Sequence, residues 1–309
     1  MTSLTTWMMA FLLSIVPHGA QEKDVTGIMG GVRQALGGDA TLGSIKSFSM
    51  KGGLIRDLFA SYGNVNVQSA DGQVRSVNSS LTSVNSNIEI YCVLPDNFLR
   101  VSWGRGTSNY SGFTGDNLIF KTESILLTEA YPQGMPELLA AERTRLIADK
   151  KLEFARLTLA LFGASLSCYP LQLSYAGEET IDGIAADVVE ARSKDKSSFR
   201  MYLDARTHLP MMLCWLAEPI PISGPATGIV IDPSERGSTV QHIPLRVQGD
   251  TVGKALLEHR LYFSDYRISD GVNWPRKWRE YVEGKLVDDM KLAKCEINAK
   301  ISLKKFKIY

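Results

Sequence analysis

Hydrophobic and polar positions along this chain change period twice. The first half of the chain alternates in steps of two, which is the period of strands. Residues 45–55 read as a first strand, and the polar, Ser/Asn/Gly-rich stretch 68–86 as strand edges and loops. Ile88, Ile90, Cys92 and Leu94 then alternate, Pro95, Asp96 and Asn97 make a turn, and Phe98, Leu99, Val101 and Trp103 begin the return strand. Residues 111–120 read as two short strands joined at Gly115 and Asp116.

Over residues 136–163 the spacing becomes helical. Leu139, Leu146, Phe154, Leu157 and Leu161 share one face. Pro136 suits the first helical position, Glu137 suits the positive end of the dipole, and Gly163 is a stop. The last turns, residues 157–162, are apolar nearly all round and need cover on more than one side. The charged part from Glu142 to Lys151 is expected at a solvent-facing mouth, with Phe154, Leu157, Leu161 and Phe162 inside. Period two then returns at 171–176, 186–191, 199–204, 209–217, 255–268, 276–283 and 286–296, with hairpin turns at 269–271 and 283–285. A short helix, 25–36, capped by Asp24 and ended by Gly37 and Gly38, precedes everything else.

Short helix, strands, long helix, strands: this order predicts a mainly β (α+β) fold. A single strongly curved antiparallel sheet forms an incomplete barrel, closed by the long central helix and the short N-terminal one. About ten strands enclose more space than their own side chains fill, so a helix or a ligand must occupy it. The Pro-rich segment 218–243 has little periodicity and reads as a surface loop inserted in one domain spanning 21–309.

Composition narrows the partners. The chain has 309 residues, 44% of them hydrophobic, and a formal net charge of +1, so electrostatics give no reason to expect nucleic acid. The apolar run 7–16, followed by small residues, reads as a signal peptide over 1–20, cleaved near Ala20. The other reading is a hydrophobic N-terminal helix kept in the fold. Cys92, Cys168, Cys214 and Cys295 form no C-x-x-C pair. They fit either two disulfides or small buried hydrophobes.

Candidate chemistry is sparse. No nucleophile elbow, zinc-protease motif, Walker loop or dinucleotide fingerprint is present, and no metal or cofactor is expected. A hydrolase would need His208, His242 or His259 to meet a Ser or a carboxylate in a pocket. The acidic pairs Glu178-Glu179 and Asp288-Asp289 read as solvated turns or exposed strand, and sequons occur at Asn78 and Asn109. Large apolar and aromatic side chains are abundant on strands, Trp103, Phe113, Phe120, Trp215 and Phe263 among them. They are either plain core or the lining of a cavity for an apolar ligand. Burying an acyl chain contributes about 0.8 kcal/mol per methylene, on the order of 10 kcal/mol for a long chain, and leaves no polar motif behind.

Several stretches together resemble the periplasmic lipoprotein-carrier superfamily, the LolA/LolB-like proteins. They are residues 34–38 with Leu42 and 45–47, residues 93–100, and residues 112–116. Later come 202–204 with 207–210, and 263–267 with Asp270, Gly271, Val272 and Pro275. The resemblance implies an incomplete barrel closed by helices, residence in the periplasm, and non-catalytic shielding of lipid acyl chains. On this reading Leu139, Leu146, Phe154, Leu157, Leu161, Trp103, Phe113, Phe120, Trp215 and Phe263 line the cavity. In the carriers a buried Arg holds the helical lid, and Arg56 is the nearest counterpart, the other reading being a surface Arg. The implied partners are a lipid or acylated protein and an envelope membrane protein, met by a monomer. The alternative is an envelope regulatory or scaffolding module with a filled core that binds another protein.

Overall fold

The computed structural model describes residues 23–57, 65–68, 74–77, 83–104, 106–124, 140–218, 225–230, 241–249 and 256–307. The signal-peptide stretch 1–20, Pro136 and Leu139 lie outside them. Two short helices lead, α1 (Val25–Leu36) and α2 (Gly38–Gly43). The Asp24 carboxylate accepts from the Thr26 amide at 3.0 Å and caps α1, whose Ile28, Met29, Val32 and Leu36 form a buried stripe. The strands before the long helix are β1 (Ser47–Asp57), β2 (Val65–Gln68), β3 (Val74–Val77), β4 (Ser83–Val93), β5 (Asn97–Gly104), β6 (Thr107–Thr114) and β7 (Asn117–Ser124). After α3 (Ala140–Phe162) come β8 (Gln172–Ile181), β9 (Ile184–Arg192), β10 (Ser198–Asp204), β11 (Pro210–Ala217), β12 (Pro225–Val230) and β13 (Gln241–Gly249). Three long strands, β14 (Leu257–Ser269), β15 (Val272–Val282) and β16 (Lys285–Ile297), and a 3-10 turn (Leu303–Phe306) complete the order.

Twelve strands form one antiparallel sheet in the order β7-β6-β5-β4-β1-β16-β15-β14-β11-β10-β9-β8. The halves before and after α3 meet where β1 pairs with β16, from Phe48 opposite Ile297 to Arg56 opposite Asp288. The edges β7 and β8 are not paired to each other, so the barrel is incomplete, and α3 is the connection between them. Two side chains of α3 show that the sheet curls. Phe154 stacks on Phe98 of β5 at 5.2 Å, while Arg156, two residues on, lies 4.4 Å over the Trp215 ring of β11. In a flat sheet these strands, six spacings apart, would be separated by about 29 Å. No helix of the described residues is long and apolar enough to cross a membrane.

Within 218–243, where the sequence reads as a loop, residues 225–230 and 241–243 are strand, namely β12 and the start of β13. The strands β12-β13-β2-β3 form a second, four-stranded sheet. Their Pro, Gly and Ser content hides the strand period. Pro225 is tolerated as the first residue of its strand, where a missing N–H matters least. β4 likewise starts at Ser83, in a polar stretch with no apolar alternation, because the β1 ladder runs on to Asp57 opposite Ser83. The four cysteines are free thiols, Cys92 and Cys295 buried and Cys168 and Cys214 partly buried.

Gly163 ends α3 in the left-handed region (φ 59°), and its amide donates to the Leu159 carbonyl at 2.9 Å. A Cβ there would sit 2.8 Å from Arg33 Cγ and 3.4 Å from Val32 on α1. Gly163→Ala is therefore expected to cost about 1–2 kcal/mol from the backbone alone, with a further steric part from α1. Urea unfolding of the two proteins checks it.

Candidate functional site

The concave face beneath α3 is the site the fold builds. α3 presents Leu152, Phe154, Leu157, Leu159, Leu161 and Phe162 to it, all buried. Phe154 stacks on Phe98 and meets Phe113 edge-on at 5.7 Å; Phe162 meets Phe48 at 5.0 Å and Trp274 at 5.6 Å, both edge-on. Thr158, the buried polar residue of α3, donates its hydroxyl to the Phe154 carbonyl at 3.0 Å and so adds no unmet polar group.

A polar row crosses the same face beside this apolar floor. Arg56, Asp288 and Glu280 stand opposite one another on β1, β16 and β15. Arg56 grips the buried Asp288 carboxylate with Nε and Nη2, both at 2.7 Å. Arg100 Nη2 of β5 adds a third bond at 3.1 Å, and its Nη1 lies 3.6 Å from Glu153 Oε1 of α3. Lys150 Nζ holds the other Glu153 oxygen at 2.7 Å. The chain Arg56–Asp288–Arg100–Glu153 thus joins the sheet to the helix. Further along, the Arg156 guanidinium covers Trp215 and Phe199, Trp215 stacks on His259, and His259 Nδ1 lies 2.9 Å from Glu280 Oε1. Surface ties also leave α3 at its second turn and its middle. Lys151 reaches Asp116 at 2.6 Å and Arg145 reaches Glu218 at 3.1 Å.

The expected lining residues fall in three groups. Phe154, Leu157, Leu161, Phe113 and Phe263 are buried in the core that α3 completes, and Trp215 is partly buried beneath Arg156. Leu146 is half-buried, and Phe120 shares the concave face but is 53% exposed. Trp103 does not lie beneath α3. It alternates with Leu99 and Val101 on the other face, where with Tyr91 and Tyr110 it lines a groove of about 320 Å³. Arg56 is no free surface Arg, and Asp288 is no solvated acid, being 5% exposed. Its signal was present in the sequence: Asp288 is in step with Met290 and Leu292, so an acid stands in a buried period-two row. Glu153 and Arg156 stand in a helix of mixed charge, and Arg100 is a lone charge in an otherwise uncharged strand, so none of them signals a partner in the sequence. His208 packs against Gly31 of α1, with its Nδ1 buried and unpartnered. His259 meets a carboxylate, but among the described residues no hydroxyl or thiol bonds to its other nitrogen.

Electrostatics follow from this geometry. Burial pushes the Asp288 carboxyl up, but the Arg56 and Arg100 guanidiniums outweigh it and hold Asp288 below the usual carboxylate range. Burial likewise raises Glu153, and Lys150 and Arg100 bring it below its usual value. The Arg156 guanidinium is pushed down to about 10 by burial over the two rings. Carboxylates held low in the fold stabilise it above their unfolded pKa of about 4, and that contribution is lost as pH falls through the lower folded values. Stability, and the anchoring of α3 with it, is thus expected to be flat near neutrality and to fall below about pH 4. A pH series of thermal melts, with the acid limb shallower in Asp288→Asn than in the wild type, checks it.

No family model and no curated protein sequence matches the chain. Solved structures do. A LolA superfamily protein from Nitrosomonas europaea is 10% identical with a TM-score of 0.42, the match covering 91% of this chain and 96% of that one. A DUF1329 family protein from Desulfovibrio piger is 9% identical over the same shares, with a TM-score of 0.41. A domain from Vibrio parahaemolyticus described as an outer membrane lipoprotein-sorting protein is 11% identical, over 84% and 88%, with a TM-score of 0.39. The chain is similar in fold to these three structures.

Proposed function

We propose that this chain is a non-catalytic, extracytoplasmic binding or carrier protein in which α3 is a lid over an acyl-binding face. The observation that supports it is the division of α3's contacts. Its underside is apolar and lies on an apolar floor, while its polar grip on the sheet runs through Glu153 and the Arg56–Asp288–Arg100 cluster. Arg56 is then the lid-holding residue, acting through Asp288. Lifting α3 exposes Phe48, Phe98, Phe113, Trp274 and Phe263, a surface that an acyl chain can cover in place of Phe154, Leu157, Leu161 and Phe162. A lipid or an acylated protein is the ligand of this reading, handed on at an envelope membrane.

A second reading rests on the Phe98–Phe113–Phe154 cluster, which fills the space beneath α3 at that level. If α3 never lifts, the same fold is a rigid module that binds another envelope protein by its surface. Gentle purification followed by lipid analysis, then titration with a fluorescent acyl probe, separates the two. The carrier reading expects co-purified lipid or saturable probe binding. Neither being found sinks it and leaves the interaction module.

A further inference from the structure

A different part of the sheet carries a second binding feature. β15 and β16 are paired from Val282 opposite Lys285 as far as Lys277 opposite Lys291, and there the ladder stops. Both strands run on, β15 to Val272 along β14 and β16 to Ile297 along β1. The strands therefore part, and a hollow of about 290 Å³ lies at the parting, lined by Asp265, Arg267, Arg276, Lys277, Lys291 and Leu292.

The charge in this hollow is not balanced. Asp265 is occupied by Arg267, which holds it at 2.9 and 3.0 Å. Lys277 is 3.9 Å from Asp289. That leaves Arg276 and Lys291 with no counter-ion among the described residues. Arg276 is the sharper anomaly, because its Nε and Nη1 are buried and make no hydrogen bond. Buried N–H donors on a cation are the groups a fold leaves unmet least readily. A guanidinium with unmet buried donors in the wall of a hollow that two lysines also line is suited to a tetrahedral oxyanion, which supplies several acceptors and the missing negative charge together.

We propose that the β15–β16 parting is a binding site for a phosphate-type oxyanion, with Arg276 as its main donor and Lys291 and Lys277 as flanking charges. The anion is either free phosphate or the phosphate of a lipid headgroup. The site uses no residue of α3, so it stands or falls apart from the lid.

Calorimetric titration of the full chain with inorganic phosphate at low ionic strength is the test. Saturable binding is expected, weakened about tenfold by Arg276→Gln and less by Lys291→Gln. Lys121→Gln, whose lysine pairs with Glu123 on β7, is expected to bind as the wild type does. Should Arg276→Gln not fold, Lys291→Gln, on an exposed residue, carries the comparison. Sedimentation with vesicles of phosphatidylcholine alone, or mixed with phosphatidylglycerol, separates the sources. Binding that needs the anionic lipid and is lost in the same variants assigns the headgroup; phosphate binding without vesicle binding assigns the free anion. No saturable binding of phosphate or anionic vesicles by the wild type, or wild-type affinity in the Arg276 and Lys291 variants, overturns the proposal.

Discussion

Replacing Asp288 with alanine is expected to cost the fold about 3 kcal/mol, because removing one partner of a buried charge cluster leaves the others uncompensated. Asp288 is 5% exposed and takes three hydrogen bonds, two from Arg56 and one from Arg100. Its loss strands both guanidiniums against an apolar floor and frees Arg100 to turn toward Glu153 or solvent. Asp288→Asn keeps the shape but gives up the charge, and is expected to cost less. Urea unfolding measures both. The lid account adds a second expectation that a purely structural role would not produce: Asp288→Asn takes up an acyl probe faster than wild type, since the grip on α3 is loosened while its apolar underside is intact.

Phe154→Ala is the other large effect, at about 4 kcal/mol. The ring is fully buried and touches two aromatic partners from adjacent strands, Phe98 of β5 and Phe113 of β6. Neither strand can close on the void, because the two are held in register by a ladder from Asn97 opposite Thr114 to Gly104 opposite Thr107. An unfilled cavity is therefore expected, and with it the cavity cost on top of the lost transfer energy. If the concave face accepts acyl chains, a saturating acyl ligand recovers part of the lost stability in this variant. A ligand that shifts neither protein's unfolding speaks for the filled-core module.

Most of the strand framework was legible because its rows alternate cleanly. Ile88, Ile90 and Cys92 on β4 announce their buried face in the sequence, and the turns at Asp270-Gly271 and Glu283-Gly284 lie where the structure has them. The apolar end of α3 was legible for the same reason, at a different period. What was not legible depends on pairing over long distances. Arg56 and Asp288 are 232 residues apart, and only the β1–β16 register brings them together. An acid in a buried row and an arginine in another are each anomalies; neither names its partner. Trp103 went astray by one step of the alternation: Phe98 and Arg100 face α3, and Leu99, Val101 and Trp103 face away. The four-stranded sheet was hidden because β2, β3 and β12 are short and set among Gly, Ser and Pro, and because its two hairpins are joined only by the pairing of β13 with β2, from distant parts of the chain.

The lid claim is tested most directly by amide hydrogen exchange of the full chain, with and without an acyl ligand. The account expects the α3 amides, Ala140–Phe162, to exchange as one block through an opening well below the free energy of global unfolding. It expects the acyl ligand to change that block's rate while β1 and β16 keep theirs. Exchange of α3 only together with β1 and β16, at the global unfolding rate and indifferent to the ligand, would contradict it.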